Sequence, residues 1–145
     1  MEIRQTTPPE AHRALEDDPA AVYLDVRTPA EFDAGHPAGA RNVPVVFLQP
    51  GRPATPNDRF LAVVERHFPR STRLLVGCQA GGRSQRAAEI LAQAGYTDVV
   101  NVRGGFGGAR DRAGQVVVPG WEESGLPVER GATAGATWDE LAGEQ

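Results

Sequence analysis

The sequence predicts an α/β fold, a largely parallel sheet with helices covering both faces. Two observations carry that expectation. Three runs rich in strand-forming residues, "AVYLDVR" (21–27), "TRLLVGC" (72–78) and "TDVVNVRGG" (97–105), read as buried strands. Segments with helical signals separate them, and strands that alternate with helices form a covered parallel sheet. A third observation sets the scale: 145 residues, 40% hydrophobic and 23% charged, suit one domain with a substantial core.

The elements follow in order. "PPEAHRALED" (8–17) predicts a short helix with proline near its start. After the first strand, Thr28 is placed to cap a helix, Pro29 suits its first position, and Glu31 completes a capping-box pattern. Gly35, Pro37 and Gly39 then end that helix within two turns. "FLQPGRPATP" (47–56) reads as a loop, followed by an amphipathic helix in "NDRFLAVVERHF", with Phe60, Leu61, Val64 and Phe68 at helical spacing. "RSQRAAEILAQAG" (83–95) is a helix closed by Gly95. Beyond Gly105 the periodicity weakens. "GGARDRAGQVVVPG" suggests an inserted hairpin, residues 106–119 forming the insertion, and "WEESGLPVE" an ordered closing segment. The division expected is a domain over 1–128 and a small, polar, mobile tail over 129–145, in which Trp138 alone argues for a docked end.

Composition excludes several classes. A formal charge of -4 and the lack of a basic stripe give no sign of a nucleic-acid partner. No stretch approaches the roughly 20 apolar residues of a membrane-spanning helix. "MEIRQTTPPEAHRAL" has no apolar signal core, so the expected setting is cytoplasmic. A single cysteine forms no internal disulfide, which agrees with a reducing compartment. All 15 basic residues are arginine, a composition typical of GC-rich coding. No Cys or His pair has zinc-ligand spacing, so neither a metal nor another cofactor is expected.

The one cysteine stands in "LLVGCQAGGRSQRAAEILAQAG" (74–95), between a strand and a helix. Ligands bind beyond the carboxyl ends of parallel strands, and Cys78 sits at such an end. Gly81 and Gly82 let the backbone curl so that several N–H groups face one spot, and the following helix N-terminus adds its dipole. Arg83 adds a permanent positive charge to that cradle. Glycine loop, arginine and helix all favour a thiolate at Cys78, the nucleophilic form. His12, His36 and His67 carry no local motif for a partnered base. The chemistry expected is therefore a cysteine acting on an anionic substrate with a good leaving group.

"CQAGGRS" resembles the active-site loop of single-domain rhodaneses, the thiosulfate sulfurtransferases, whose pattern is Cys-x-x-Gly-x-Arg-Ser. "LDVRTPAEFDAGHPAGARNVP" is similar to that family's first signature, and "NVRGGF…PGWEESGLPVE" to its closing segment. The resemblance covers roughly residues 6 to 128. It departs at Gly77, where an aromatic is frequent, and in the lengthened "FGGARDRAGQVVVP". It implies a rhodanese-like three-layer fold, a central five-stranded parallel sheet flanked by helices. It also implies sulfane-sulfur transfer from thiosulfate or a similar small anionic donor to cyanide or a thiol, through a Cys78 persulfide. A protein sulfur acceptor fits the same chemistry. Carried over by position, Gln79, Ala80, Gly81, Gly82 and Arg83 supply the substrate loop. Ser84 caps the helix and contacts the anion. Asp25 and Arg27 form an ion pair or brace the loop, and Glu31 and His36 fix a loop of their own. Two other readings stand beside this one. A sulfur-relay protein would use the same persulfide for a specific partner. A phosphatase of this fold would have Cys-x5-Arg, one residue longer than the Cys78-x4-Arg83 found here.

Overall fold

The computed structural model describes residues 2–143. Its elements, in chain order, are β1 (Arg4–Thr6), α1 (Pro8–Asp17), β2 (Val22–Asp25), α2 (Pro29–Ala34), β3 (His36–Pro37), β4 (Arg41–Asn42), β5 (Val46–Phe47) and β6 (Thr55–Pro56). Then come α3 (Phe60–His67), β7 (Leu74–Gly77), α4 (Gly82–Gln93), β8 (Val99–Val102), β9 (Ala109–Arg110), β10 (Val116–Val118), β11 (Val128–Glu129) and α5 (Trp138–Gly143). Five strands pair in parallel in the order β1-β8-β7-β2-β4. The mixed α/β architecture and its five-stranded parallel sheet are those expected.

Side-chain alternation along the strands divides the core into two layers. Leu24, Leu74, Val76 and Val99 face Phe60, Val63 and Val64 of α3 and Ala87, Ala88 and Leu91 of α4. Tyr23, Leu75, Val100 and Val102 face the other way, onto Ala11 of α1, Phe32 of α2 and the later residues Phe106 and Trp121. The helices following β2 and β7 thus leave the sheet toward opposite faces. A crevice opens where two adjacent strands feed diverging helices, and the β2 and β7 ends flank it.

Local chemistry sets the helix ends. The Thr28 hydroxyl accepts from the Glu31 N–H while the Glu31 carboxylate accepts from the Thr28 N–H, so the capping box is closed. At the end of α4, the Gly95 N–H donates to the Ala92 carbonyl and the Tyr96 N–H to the Leu91 carbonyl, both at 3.1 Å. This is the double closure that a glycine at positive φ permits, and Gly95 lies at +103°. Segment 106–119 does contain a hairpin, β9 pairing with β10. The 47–56 loop is tied at its base by the short β5–β6 ladder.

Segment 129–143 differs from the expected mobile tail. α5 buries Leu141 and Ala142 in the α3–α4 layer, and Trp138 packs near Phe47 under the Arg59 guanidinium. Its last carbonyls are capped from α3 and the residue before it: Arg59 donates to Ala142, Arg66 to Leu141, and His67 Nε2 lies 2.8 Å from the Leu141 oxygen. Cationic groups at a helix C-terminus complement its dipole. Weak hydrophobic periodicity hid this helix, because six residues bury only one turn's worth of side chains. Leu141→Ala should therefore lower stability by about 2–3 kcal/mol, the usual cost of a truncated buried leucine, read as a fall in the urea midpoint. A freely mobile segment would leave the midpoint unchanged.

Candidate active site

β7 is the middle strand of the sheet, and Cys78 follows it directly with only 2% of its surface exposed. Three successive carbonyls of the loop after it are held from behind. The Phe106 N–H donates to the Cys78 carbonyl and the Gly107 N–H to that of Gln79, both at 2.8 Å, and the Gly104 N–H donates to that of Ala80 at 3.1 Å. In a trans peptide plane the C=O and the next N–H point in opposite directions. Pinning the carbonyls of residues 78 to 80 therefore aims the N–H groups of Gln79, Ala80 and Gly81 into the concave side of the loop. One of them reaches the sulfur: the Gly81 N–H donates to Cys78 Sγ at 3.0 Å.

α4 adds to the same side. It begins at Gly82, and Gln85 is the first residue to close a turn, on the Gly81 carbonyl at 3.1 Å. The N–H groups of Gly82, Arg83 and Ser84 have no acceptor within the helix and stand at its positive end. The Ser84 hydroxyl lies 3.3 Å from Sγ. A buried sulfur facing aimed backbone donors and a helix N-terminus is a nest for an anion.

The glycines of the two loops divide by role. Gly81 has φ +130°, a conformation closed to residues with a side chain, whereas a Cβ on Gly82 would meet open space. Behind the loop, a Cβ on Gly105 would stand 2.1 Å from the Cys78 oxygen, and one on Gly107 1.9 Å from Gln79 Nε2. These two glycines let the turn approach closely enough to take the carbonyls.

Two ion pairs frame the crevice. Arg27 Nε donates to Asp25 at 3.0 Å and its terminal nitrogen does so at 2.8 Å, while the same nitrogen reaches the Gly35 carbonyl at 2.7 Å. Both residues are buried, and the guanidinium also reaches Gln79 Oε1 at 3.2 Å and lies 4.6 Å over the Phe106 ring. Burial opposes the charge on Arg27, and the Asp25 carboxylate outweighs it. The second pair is a fork: Arg83 donates both terminal nitrogens to Glu31, at 2.7 and 2.9 Å. Partial burial alone would raise the Glu31 pKa. Arg83, with the N–H and hydroxyl of Thr28, reverses this and holds it at about 2. Glu31 thus caps α2 and clamps the start of α4 across the crevice. A cleft of about 530 Å³, lined by Arg27, Glu31, Gln79, Phe106 and Arg130, opens beside the loop without including the sulfur in its wall.

The structure brings Cys78, Gln79, Ala80 and Gly81 into one loop and Gly82, Arg83 and Ser84 into the first turn of α4, with Asp25 and Arg27 at the adjoining strand end; the cap position expected for Ser84 is held by Gly81. The positive charge that Arg83 adds to the cradle is paired, its fork engaged by Glu31. His36 is fully buried beneath α2, Nδ1 2.7 Å from the Phe32 carbonyl and Nε2 3.0 Å from Thr133 Oγ1, its ring stacked on Phe32. Gly77, which stands where an aromatic is frequent in the resembled pattern, is explained by the neighbouring strand. A Cβ there would stand 1.9 Å from the Tyr23 hydroxyl, so Tyr23 fills that volume from β2. Burial and the nearby Asp25 charge push the Tyr23 phenol well above its usual pKa, and among the described residues its oxygen has no hydrogen-bond partner. Sequence reading missed the glycine turn's role as a backstop, and it missed Asn101. The "NVRGG" spacing signalled the turn but nothing signalled Asn101. Among the described residues no cluster of three or more His, Cys, Asp or Glu side chains is placed to hold a metal ion.

A rhodanese-like domain model matches residues 7–111, and the chain belongs to that family. Over 108 residues it is 41% identical to Thiosulfate sulfurtransferase 16, chloroplastic, of Arabidopsis thaliana, covering 74% of this chain and 78% of that protein. It is 40% identical to Senescence-associated protein DIN1 of Raphanus sativus, covering 74% of this chain but about half (51%) of that protein. Among solved structures, Rv0390 from M. tuberculosis superposes with a TM-score of 0.76 at 34% identity, covering 90% of this chain and all of that one (100%).

The site generates two predictions. Gly81→Ala should cost at least tenfold in the rate of Cys78 alkylation at fixed pH, because the alanine cannot hold the turn that aims the N–H groups, while Gly82→Ala should stay within twofold. Equal effects at the two positions would mean that loop geometry does not govern the sulfur. The second concerns acid. The Glu31 pKa is depressed from 4.5 to about 2, so its contribution to stability is complete above pH 4.5 and is lost as pH falls toward 2. Glu31→Gln should be less stable than the parent near neutrality, and the gap should narrow through that window, as read from urea midpoints. A gap independent of pH would remove the role given to the carboxylate charge.

Proposed function

We propose that the chain is a sulfurtransferase that carries sulfane sulfur on Cys78, from thiosulfate or a similar anionic donor to a thiophilic acceptor. The observation that carries this reading is the set of aimed N–H groups around a buried sulfur at the end of the central strand. The family and the names of the relatives support it. In the first step the Cys78 thiolate attacks the outer sulfur of thiosulfate. A bond forms between Sγ and that sulfur, the donor's sulfur–sulfur bond breaks, and sulfite leaves with the electron pair. The terminal persulfide sulfur then carries the negative charge, which the loop N–H groups and the α4 N-terminus stabilise. In the second step a thiolate or cyanide attacks the terminal sulfur, and Cys78 leaves as the thiolate. The acceptor thiol belongs to a small molecule or to a protein, and the single cysteine fits a reducing cytoplasmic setting.

The Arg83–Glu31 fork weighs against the phosphatase reading, since a phosphate with three free oxygens would have to compete with a carboxylate for that guanidinium. The test is a mass measurement after thiosulfate exposure beside a thiosulfate:cyanide assay. The parent should gain the mass of sulfur and turn over cyanide. Cys78→Ser should keep the parent's circular dichroism and do neither, because a serine hydroxyl is neither ionised near neutrality nor thiophilic. Turnover by the serine variant within tenfold of the parent would overturn the mechanism.

A further inference from the structure

Cys78 sits at one end of a hydrogen-bonded chain of side chains that crosses the sheet to its edge strand. The Ser84 hydroxyl lies 2.6 Å from Asn101 Oδ1, and Asn101 Nδ2 lies 2.8 Å from Gln5 Oε1. Gln5 Nε2 then donates to the Ile3 carbonyl at 3.1 Å and to Gln85 Oε1 at 2.8 Å, and Gln85 Nε2 donates to the Glu89 carboxylate at 3.3 Å. Asn101 is a buried polar residue on β8, and its amide also faces the Gly81 carbonyl at 3.5 Å.

The direction of this chain is fixed from its far end. A carbonyl and a carboxylate only accept, so Gln5 must present Nε2 to Ile3 and Gln85 must present Nε2 to Glu89. Gln5 then offers Oε1 to Asn101, which must answer with Nδ2. That leaves Asn101 Oδ1 facing Ser84, at the shortest distance of the set. Ser84 has one proton and three neighbouring acceptors: Asn101 Oδ1 at 2.6 Å, the Gly81 carbonyl at 3.1 Å and Sγ at 3.3 Å. The proton goes to Asn101, and the sulfur meets a Ser84 lone pair.

We propose that Asn101 is a positioning residue that controls whether Ser84 donates to the Cys78 sulfur. The inference rests on the sulfur-transfer reading for its meaning in the cycle. A lone pair toward Sγ suits a thiol, whose S–H donates to it, and a persulfide, whose inner sulfur is a poor acceptor. A thiolate instead draws the Ser84 proton and breaks the Asn101 bond. Asn101 therefore biases the site against the free thiolate and toward the sulfur-loaded form. Charged and titratable groups near the sulfur, the Arg83–Glu31 and Asp25–Arg27 pairs and the Tyr23 phenol, lie outside the chain and stay in place when it is cut.

The test reads the thiolate without any sulfur donor, so failure of the transfer reading and failure of this one are separable. Asn101→Leu keeps the volume and removes the acceptor. Iodoacetamide alkylation at fixed pH, with thiolate absorbance as a second readout, should rise about tenfold, the worth of one freed hydrogen bond to a charged acceptor. Gln5→Ala, on the exposed edge strand, unlocks the Asn101 amide and should shift alkylation the same way by a smaller factor, which guards against a misfolded Leu variant. In a Ser84→Ala background both substitutions should change alkylation less than twofold. No rise in the Ser84 background, or an equal rise without Ser84, would overturn the proposal.

Discussion

The site depends on one constraint, the docking of three loop carbonyls on the glycine turn at 104–107. The N–H groups of Gln79, Ala80 and Gly81 could not turn inward unless the carbonyls of residues 78 to 80 found donors on the other side, because buried peptide groups must be paired. The turn supplies the three donors, the N–H groups of Gly104, Phe106 and Gly107. Its glycines bring the backbone close enough to do so. A further layer lies behind: the Trp121 N–H donates to the Gly105 carbonyl at 2.8 Å, and a Cβ on Gly120 would stand 2.6 Å from the Phe106 oxygen. The closing segment therefore holds the turn, the turn holds the loop, and the loop aims its donors.

Charge is used to join helices that the sheet sends apart. α2 and α4 leave β2 and β7 toward opposite faces, and packing alone gives them little contact near their N-termini. Glu31 closes that gap with hydrogen bonds to two nitrogens of Arg83 while still capping its own helix. The Asp25–Arg27 pair is more deeply buried, and a buried pair is weak as a source of net stability because both charges lose hydration. Its contribution is directional. Arg27 reaches Asp25, the Gly35 carbonyl and Gln79 together, fixing where α2 ends relative to the cysteine loop.

Much of this was legible because local chemistry and tertiary demand coincide. Thr28, Pro29 and Glu31 signal a cap that the structure closes, and Gly95 signals a helix end that its +103° φ requires. Strands β1 and β4 were not legible from periodicity, being three and two residues long and supported only by their neighbours. α5 was hidden for the same reason, although "TWDE" repeats the Thr-x-x-Glu signature of α2 and the Thr137 hydroxyl does accept from the Glu140 N–H at 3.2 Å. The partner of Arg83 was not legible, because sequence shows the charge but not the carboxylate 52 residues away. Asn101 was invisible for a deeper reason: in an apolar strand, one polar residue reads as tolerance, and only the third dimension shows its partners.

Tyr23 and Gly77 show how a departure from a family pattern can conserve volume. The resemblance places an aromatic before the cysteine on the central strand, and this chain has none there. Asp25 pairs in register with Gly77 and Tyr23 with Leu75, so Tyr23 and Gly77 are diagonal neighbours on the same face. The phenol leans across that diagonal into the space a side chain on Gly77 would occupy. The core keeps its filling, at the cost of a phenol oxygen sealed in beside Asp25 without a hydrogen-bond partner among the described residues. The exchange also frees the central strand from carrying bulk next to Cys78. The position of Cys78 is then set by backbone pairing and by the turn behind it rather than by the packing of its own neighbour.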